Sequence, residues 1–164
     1  MNRSIRFIAA LGMLALPSVV QAQSITGSIS ASADIATVFS FGVPSPLNFG
    51  SITPGTAASA SGFIPLSRNI GVIYSLPDGA ATGVLTGPGA TTLQPTYTCG
   101  VGSTSATITS AFTSCNSAGN QLTLPAPSGT TTEYVIFNGS LAAGQTNITP
   151  GAYTGTIRVT ATGN

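Results

Sequence analysis

The chain has no histidine and no tryptophan, and its four basic residues are Arg3, Arg6, Arg68 and Arg158, so it has no lysine either. Its acids are Asp34, Asp78 and Glu133, which leaves charged residues at 4% of the sequence. Each scarcity closes a class of function. A serine or cysteine nucleophile needs a base to take its proton, and the two usual candidates, His and Lys, are missing. Zinc and copper sites draw on His and closely spaced Cys, which are also missing. Calcium asks for several carboxylates around one point; Pro77-Asp78-Gly79 offers one and reads as a turn. Two carboxylates at a set separation suffice for glycoside hydrolysis, but the three acids lie far apart in sequence and read as solvated charges in turns or on polar strand faces. The expectation is a chain with no catalytic residue, no cofactor and no metal site. Nucleic acid and anionic membrane surfaces require clustered cations, and Arg68 and Arg158 stand alone, so those partners are excluded as well.

Helical periodicity is the next absence. Beyond the first residues no run carries apolar side chains at helical spacing, and the 20 glycines and 11 prolines recur too often for long helices. The N-terminus is the exception. A short basic region with Arg3 and Arg6 precedes an apolar run over residues 7–16, and Val20 and Ala22 place small or β-branched residues where a signal peptidase needs them. The layout predicts a secretory signal over residues 1–22, with the exported chain starting at Gln23. The apolar run is about half the roughly 20 residues that span a bilayer, so no membrane insertion is expected after cleavage. Removing 22 of 164 residues leaves 142, enough for one domain with a core, carrying two arginines against three acids. Solubility then rests on Ser, Thr, Asn and Gln, a surface suited to packing against copies of the same chain. Export makes a disulfide between Cys99 and Cys115 the expected state, since two cysteines allow one connectivity.

The period that does appear is two. Over residues 25–43 the odd positions read Ile25, Gly27, Ile29, Ala31, Ala33, Ile35, Thr37, Phe39, Phe41 and Val43, against mostly polar even positions. The alternation returns at Ile70-Val72-Tyr74-Leu76 by every second residue, at Ala106, Ile108 and Phe112, at Leu122, Leu124 and Ala126, and at Tyr153, Ile157, Val159 and Ala161. Turn signals such as Thr53-Pro54-Gly55, Pro77-Asp78-Gly79 and Thr149-Pro150-Gly151 separate these runs. The pattern predicts an all-β fold, an antiparallel two-sheet sandwich of about seven to nine strands, with a closed barrel as the alternative. Tyr74 and Tyr153 fall on apolar faces and are expected buried; Tyr97 and Tyr134 are free to be exposed. The first run is longer than a sandwich strand needs, since strands rarely exceed about ten residues. Residues 23–35 therefore read as an N-terminal extension ahead of a sandwich over 36–164, available to a neighbouring molecule.

Two segments carry a resemblance: Leu47-Asn48-Phe49-Gly50-Ser51-Ile52-Thr53-Pro54-Gly55, and Pro150-Gly151-Ala152-Tyr153-Thr154-Gly155-Thr156-Ile157-Arg158-Val159-Thr160. They resemble an uncharacterised family of small secreted bacterial β-sandwich proteins and, more distantly, the spore coat protein U family and the pilins of the archaic chaperone-usher pathway. The pilin resemblance implies an immunoglobulin-like fold lacking one strand, its groove filled first by a periplasmic chaperone at an usher and then by the N-terminal strand of the next subunit. In that role Ile25, Gly27, Ile29, Ala31, Ala33 and Ile35 match the donor strand. Burying the three isoleucines would contribute roughly 5 to 9 kcal/mol per junction before ordering costs. The resemblance thus implies a non-catalytic subunit of a surface fibre or coat, reaching the cell surface through the periplasm, with copies of itself or related subunits as partners. A monomeric secreted binding module that completes its own sandwich and takes a carbohydrate is the alternative.

Overall fold

The computed structural model describes residues 30–79, 83–145 and 148–164. Ile35–Asn164 forms one compact unit, separate from the residues before it. Among the described residues ten strands follow in chain order: β1 (Phe39–Phe41), β2 (Ala58–Arg68), β3 (Val72–Leu76), β4 (Leu85–Thr86), β5 (Thr92–Leu93), β6 (Thr96–Gly102), β7 (Ser110–Ala111), β8 (Asn120–Leu124), β9 (Thr131–Leu141) and β10 (Thr160–Gly163). A 3-10 turn lies at Pro88–Ala90 between β4 and β5. All pairings are antiparallel, and they build a five-stranded sheet in the order β1-β2-β9-β6-β7, a three-stranded sheet in the order β10-β3-β8, and a β4-β5 hairpin. The fold is the expected all-β antiparallel sandwich. Its strand count exceeds seven to nine because β4, β5 and β7 are two-residue strands that periodicity has too little length to register.

The core lies between the two larger sheets. Leu66 on β2, Val72, Tyr74 and Leu76 on β3, Val101 on β6, and Val135 and Phe137 on β9 are buried and form one cluster. Fully burying an aliphatic or aromatic side chain of this kind contributes about 1.5–3 kcal/mol, so this cluster is the main force holding the sheets face to face. β3 shows why its alternation is legible: Val72, Tyr74 and Leu76 point into the core while Ile73 and Ser75 are half-buried on the other face.

The two longest strands, β2 and β9 with 11 residues each, pair along their whole length and form the centre of the large sheet. Neither follows the simple alternation. Phe63 and Pro65 lie on the outer face of β2 and Tyr134 and Ile136 on that of β9, with Phe63 and Tyr134 in edge contact at 5.5 Å between ring centroids. Ile136 is fully buried there because the chain between β6 and β7 folds over this face. Gly100 and Gly102 on β6 permit that approach: a Cβ at 100 would meet the Ile108 side chain and the Ser110 carbonyl, and one at 102 would meet the Thr107 carbonyl.

One flank of the sandwich is closed by the chain itself. From β7 it passes to β8 in the other sheet, with Phe112 buried on the way and a disulfide from Cys115 back to Cys99 on β6, Cα to Cα 5.7 Å. The expected strand over 106–112 is reduced to β7, because most of that segment serves as cover for the outer face instead.

Candidate functional site

The opposite flank is bounded by β1 on the large sheet and β10 on the small one. Among the described residues β1 pairs only with β2, and β10 only with β3, so each presents an edge that no described strand occupies. Side chains that alternation assigns to the inside are uncovered here. On β1 and just after it, Phe39 is half-buried, Phe41 is 43% exposed and Val43 is 87% exposed. Across the flank Ile157, Val159 and Ala161 are half-buried on the rim of the core cluster. Among the described residues no element covers this stretch of the inner apolar face, and apolar edges of this kind are ordinarily paired or covered.

At one end the flank deepens into a cleft of about 650 Å³ between residues 46–54 and 148–155. Leu47, Phe49 and Ile52 line one wall, Ile148 and Tyr153 the other, with Leu85 and Leu93 between them. These walls are the two segments that carry the resemblance. The second wall is anchored by Tyr153, whose hydroxyl donates to the Thr149 carbonyl at 3.0 Å and shares a 2.8 Å hydrogen bond with Thr91 Oγ1. The Tyr153 ring lies where a Cβ at Gly87 would be, and Thr86 and Thr154 exchange backbone hydrogen bonds of 2.8 and 3.1 Å. The β4-β5 hairpin thus holds the chain leading into β10.

Of the six candidate donor residues, Ile25, Gly27 and Ile29 lie outside the described residues, as does the expected signal over 1–22. Ala31 and Ala33 are exposed and outside any strand, and Ile35 is 87% exposed. The long alternation over 25–43 does not form one strand: among its described residues only Phe39–Phe41 pairs as such. The root of the extension is held by Asn69, just after β2. Its side-chain amide donates to the Ala36 carbonyl at 2.8 Å and its Oδ1 accepts from the Val38 amide at 2.8 Å, while its own backbone amide donates to the Val38 carbonyl at 3.1 Å.

The acids require a correction. Glu133 is not a solvated charge: it sits on the inner face of β9 and receives two hydrogen bonds, of 2.9 and 2.7 Å, from the Arg68 guanidinium. Arg68 is 2% exposed and also donates to the carbonyls of Ile70 and Pro125 at 2.6 and 2.7 Å. The Tyr74 hydroxyl donates to Glu133 at 3.3 Å. A buried cation with a bidentate carboxylate and two carbonyls has its donors well used, which is why it tolerates the interior. The hydrogen bond to Glu133 raises the Arg68 pKa above its ordinary value, and burial, then the adjacent carboxylate, push up that of Tyr74. The clue was parity: Glu133 shares a strand face with Val135 and Phe137. Tyr97 is a second correction, since it is 8% exposed and its hydroxyl donates to the Gly83 carbonyl at 2.6 Å. Tyr134 is half-buried.

Asp78 is half-buried with its Oδ2 3.3 Å from Nε of the exposed Arg158, so each described acid other than Asp34 is beside an arginine and not beside another acid. Among the described residues no group of three or more His, Cys, Asp or Glu could hold a metal ion, and no helix is long and apolar enough to cross a membrane. On the outer face of the large sheet Ser59, Ser61, Asn138, Ser140, Thr96 and Thr98 line a shallower trough of about 500 Å³.

Fold and site together define an antiparallel β-sandwich with one stapled flank and one open apolar flank. No known family model matches the chain, and no curated protein is significantly similar to it.

Proposed function

We propose that this chain is a non-catalytic structural subunit of a bacterial surface fibre or coat, exported through the periplasm and assembled by β-strand addition. One observation carries the reading: β1 and β10, each with an edge that no described strand occupies, bound a common flank where Phe41 and Val43 are exposed and Ile157 and Val159 are half-buried. An added strand there would gain main-chain hydrogen bonds from an edge and bury alternate side chains, the two sources of affinity and specificity in β-augmentation. The segment whose alternation fits is residues 23–35, from a second copy. The pairing of Glu133 with Arg68 and of Asp78 with Arg158 supports a non-catalytic role, since neither carboxylate is placed against a second acid or a nucleophile.

The test uses exported protein lacking residues 23–33, mixed with a synthetic peptide of residues 23–35. The peptide should raise the thermal midpoint by several degrees in a concentration-dependent way, as any ligand of the folded state does. A peptide with Ile25 and Ile29 changed to Asn should not. A folded deletion protein whose midpoint ignores the native peptide overturns the reading. A second reading, a monomeric binding module, draws on the hydroxyl- and amide-lined trough around Asn138, whose chemistry suits a neutral carbohydrate. It would be favoured by that same failure together with saturable glycan binding lost on Asn138→Ala.

A further inference from the structure

We infer that Asn69 and Ala36 make the extension intermolecular: they hold its root straight, so that its apolar face is offered to a second copy and withheld from the flank of its own chain. The inference rests on the strand-addition reading and goes beyond it, because an open flank beside β1 could equally be filled by the residues that immediately precede β1.

Register decides what such a fold-back requires. Phe39 packs on the core, so the odd residues of this segment face inward. The apolar residues of the extension are also odd-numbered. Directly opposed residues in an antiparallel pair share a face, so an inward-facing extension must pair odd with odd, and the connecting loop must contain an odd number of residues. A two-residue turn would pair odd with even and turn the serines into the core. The shortest suitable loop is three residues, built as a type I turn whose last residue is left-handed, a place usually taken by Gly.

For a loop over 34–36 that residue is Ala36. Its carbonyl accepts from Asn69 Nδ2, and Val38 is bonded to Asn69 through both its amide and its carbonyl. Turning at Ala36 breaks the first bond and places a Cβ in the left-handed region, which L-residues disfavour. A loop over 32–34 would instead place Asp34 in the left-handed position and consume Ala33, leaving only residues 25–31 to enter the flank. No Gly or Pro occurs between Gly27 and Gly42, and no described residue before Gly50 has a positive φ. The root therefore has no Gly or Pro on which to turn, and Asn69 holds it at Ala36 and Val38.

The experiment compares full-length exported protein with Asn69→Ala, Ala36→Gly and the double variant by light scattering after chromatography over a hundredfold concentration range. The unaltered protein should form concentration-dependent oligomers. Each single variant should lower the oligomer fraction, and the double variant should be mainly monomer, at least fivefold lower in oligomer. A self-filled flank, as opposed to a damaged one, is read in two ways. The double-variant monomer should melt above the same variant lacking residues 23–33, and that truncated form should still bind the peptide of residues 23–35. Where the peptide binds and the unaltered protein oligomerises, but the double variant oligomerises identically, the inference is overturned and strand addition stands. Where the double variant is a monomer whose truncated form no longer binds the peptide, the loss is damage to the flank and the inference is likewise overturned. An unaltered protein that stays monomeric throughout the range overturns the inference with its premise.

Discussion

The two flanks of the sandwich solve the same problem in opposite ways. Where β7 leads into β8, the chain crosses between sheets, buries Phe112 and adds the Cys99–Cys115 staple. Where β1 faces β10, Phe41, Val43, Ile157 and Val159 stay partly or largely exposed. A sandwich with a buried ion pair and a well-filled centre can tolerate such an opening because the remaining contacts hold without it. The lesson is that one flank is secured within the chain itself while the other leaves apolar side chains uncovered, and it is this second flank that the proposed strand addition would use.

The largest expected effect tests whether the centre, and not the flanks, carries the fold. Glu133→Ala strands the buried Arg68 charge and should lower unfolding free energy by about 3–5 kcal/mol, measured as a fall in urea midpoint at unchanged slope. Replacing Arg68 and Glu133 together with Met and Leu should recover most of the loss, since paired removal leaves no orphan charge.

Breaking the stapled flank comes next. Cys99 and Cys115 are 16 residues apart, and the double substitution to Ser should cost about 3 kcal/mol by loop-closure entropy. It should lower stability without changing affinity for the peptide of residues 23–35. A large loss of peptide binding would show that the two flanks are coupled.

Side-chain truncation sharpens the contrast. On the open flank Ile157→Ala should cost only about 1 kcal/mol in the isolated subunit, because the side chain is only partly buried, against about 2–5 kcal/mol for Leu66→Ala in the core. On strand addition the Ile157→Ala cost should grow, and the Leu66→Ala cost should not. Equal growth at both sites would refute the open flank as the place of addition.

The smallest effect lies on the alkaline side. Burial raises the Tyr97 pKa, and burial with the adjacent Glu133 raises that of Tyr74, so both phenols ionise more readily in the unfolded chain. Stability from this source is complete below the unfolded value of about 10 and is lost as pH rises through the folded values. Tyr97→Phe forfeits one hydrogen bond, about 1 kcal/mol, and should flatten the decline above pH ~10 in a urea-midpoint profile.

Legibility in the sequence followed how each strand is buried. β3 has one face in the core, so Val72, Tyr74 and Leu76 announce it. β2 and β9 carry apolar residues on both faces, with Pro65 on one strand and Glu133 on the other, and their alternation dissolves although they are the longest strands. The open flank was half legible. Its walls contain the two recognisable segments, and its candidate occupant has the clearest alternation in the chain, but the missing cover is a property of strand order. Asn69 gave no signal at all, since a polar residue after a strand looks like any loop residue until its side chain is seen to bond Ala36 and Val38.

By itself the sequence determined the all-β class, the cysteine pair and the alternation over residues 25–43, because composition and period-two patterning are local properties. Tertiary structure alone decided which edges remain unpaired, that Arg68 and Glu133 meet across 65 residues, and that Asn69 clamps the root of the extension 33 residues before it. These depend on which distant strands become neighbours, and no local pattern encodes that.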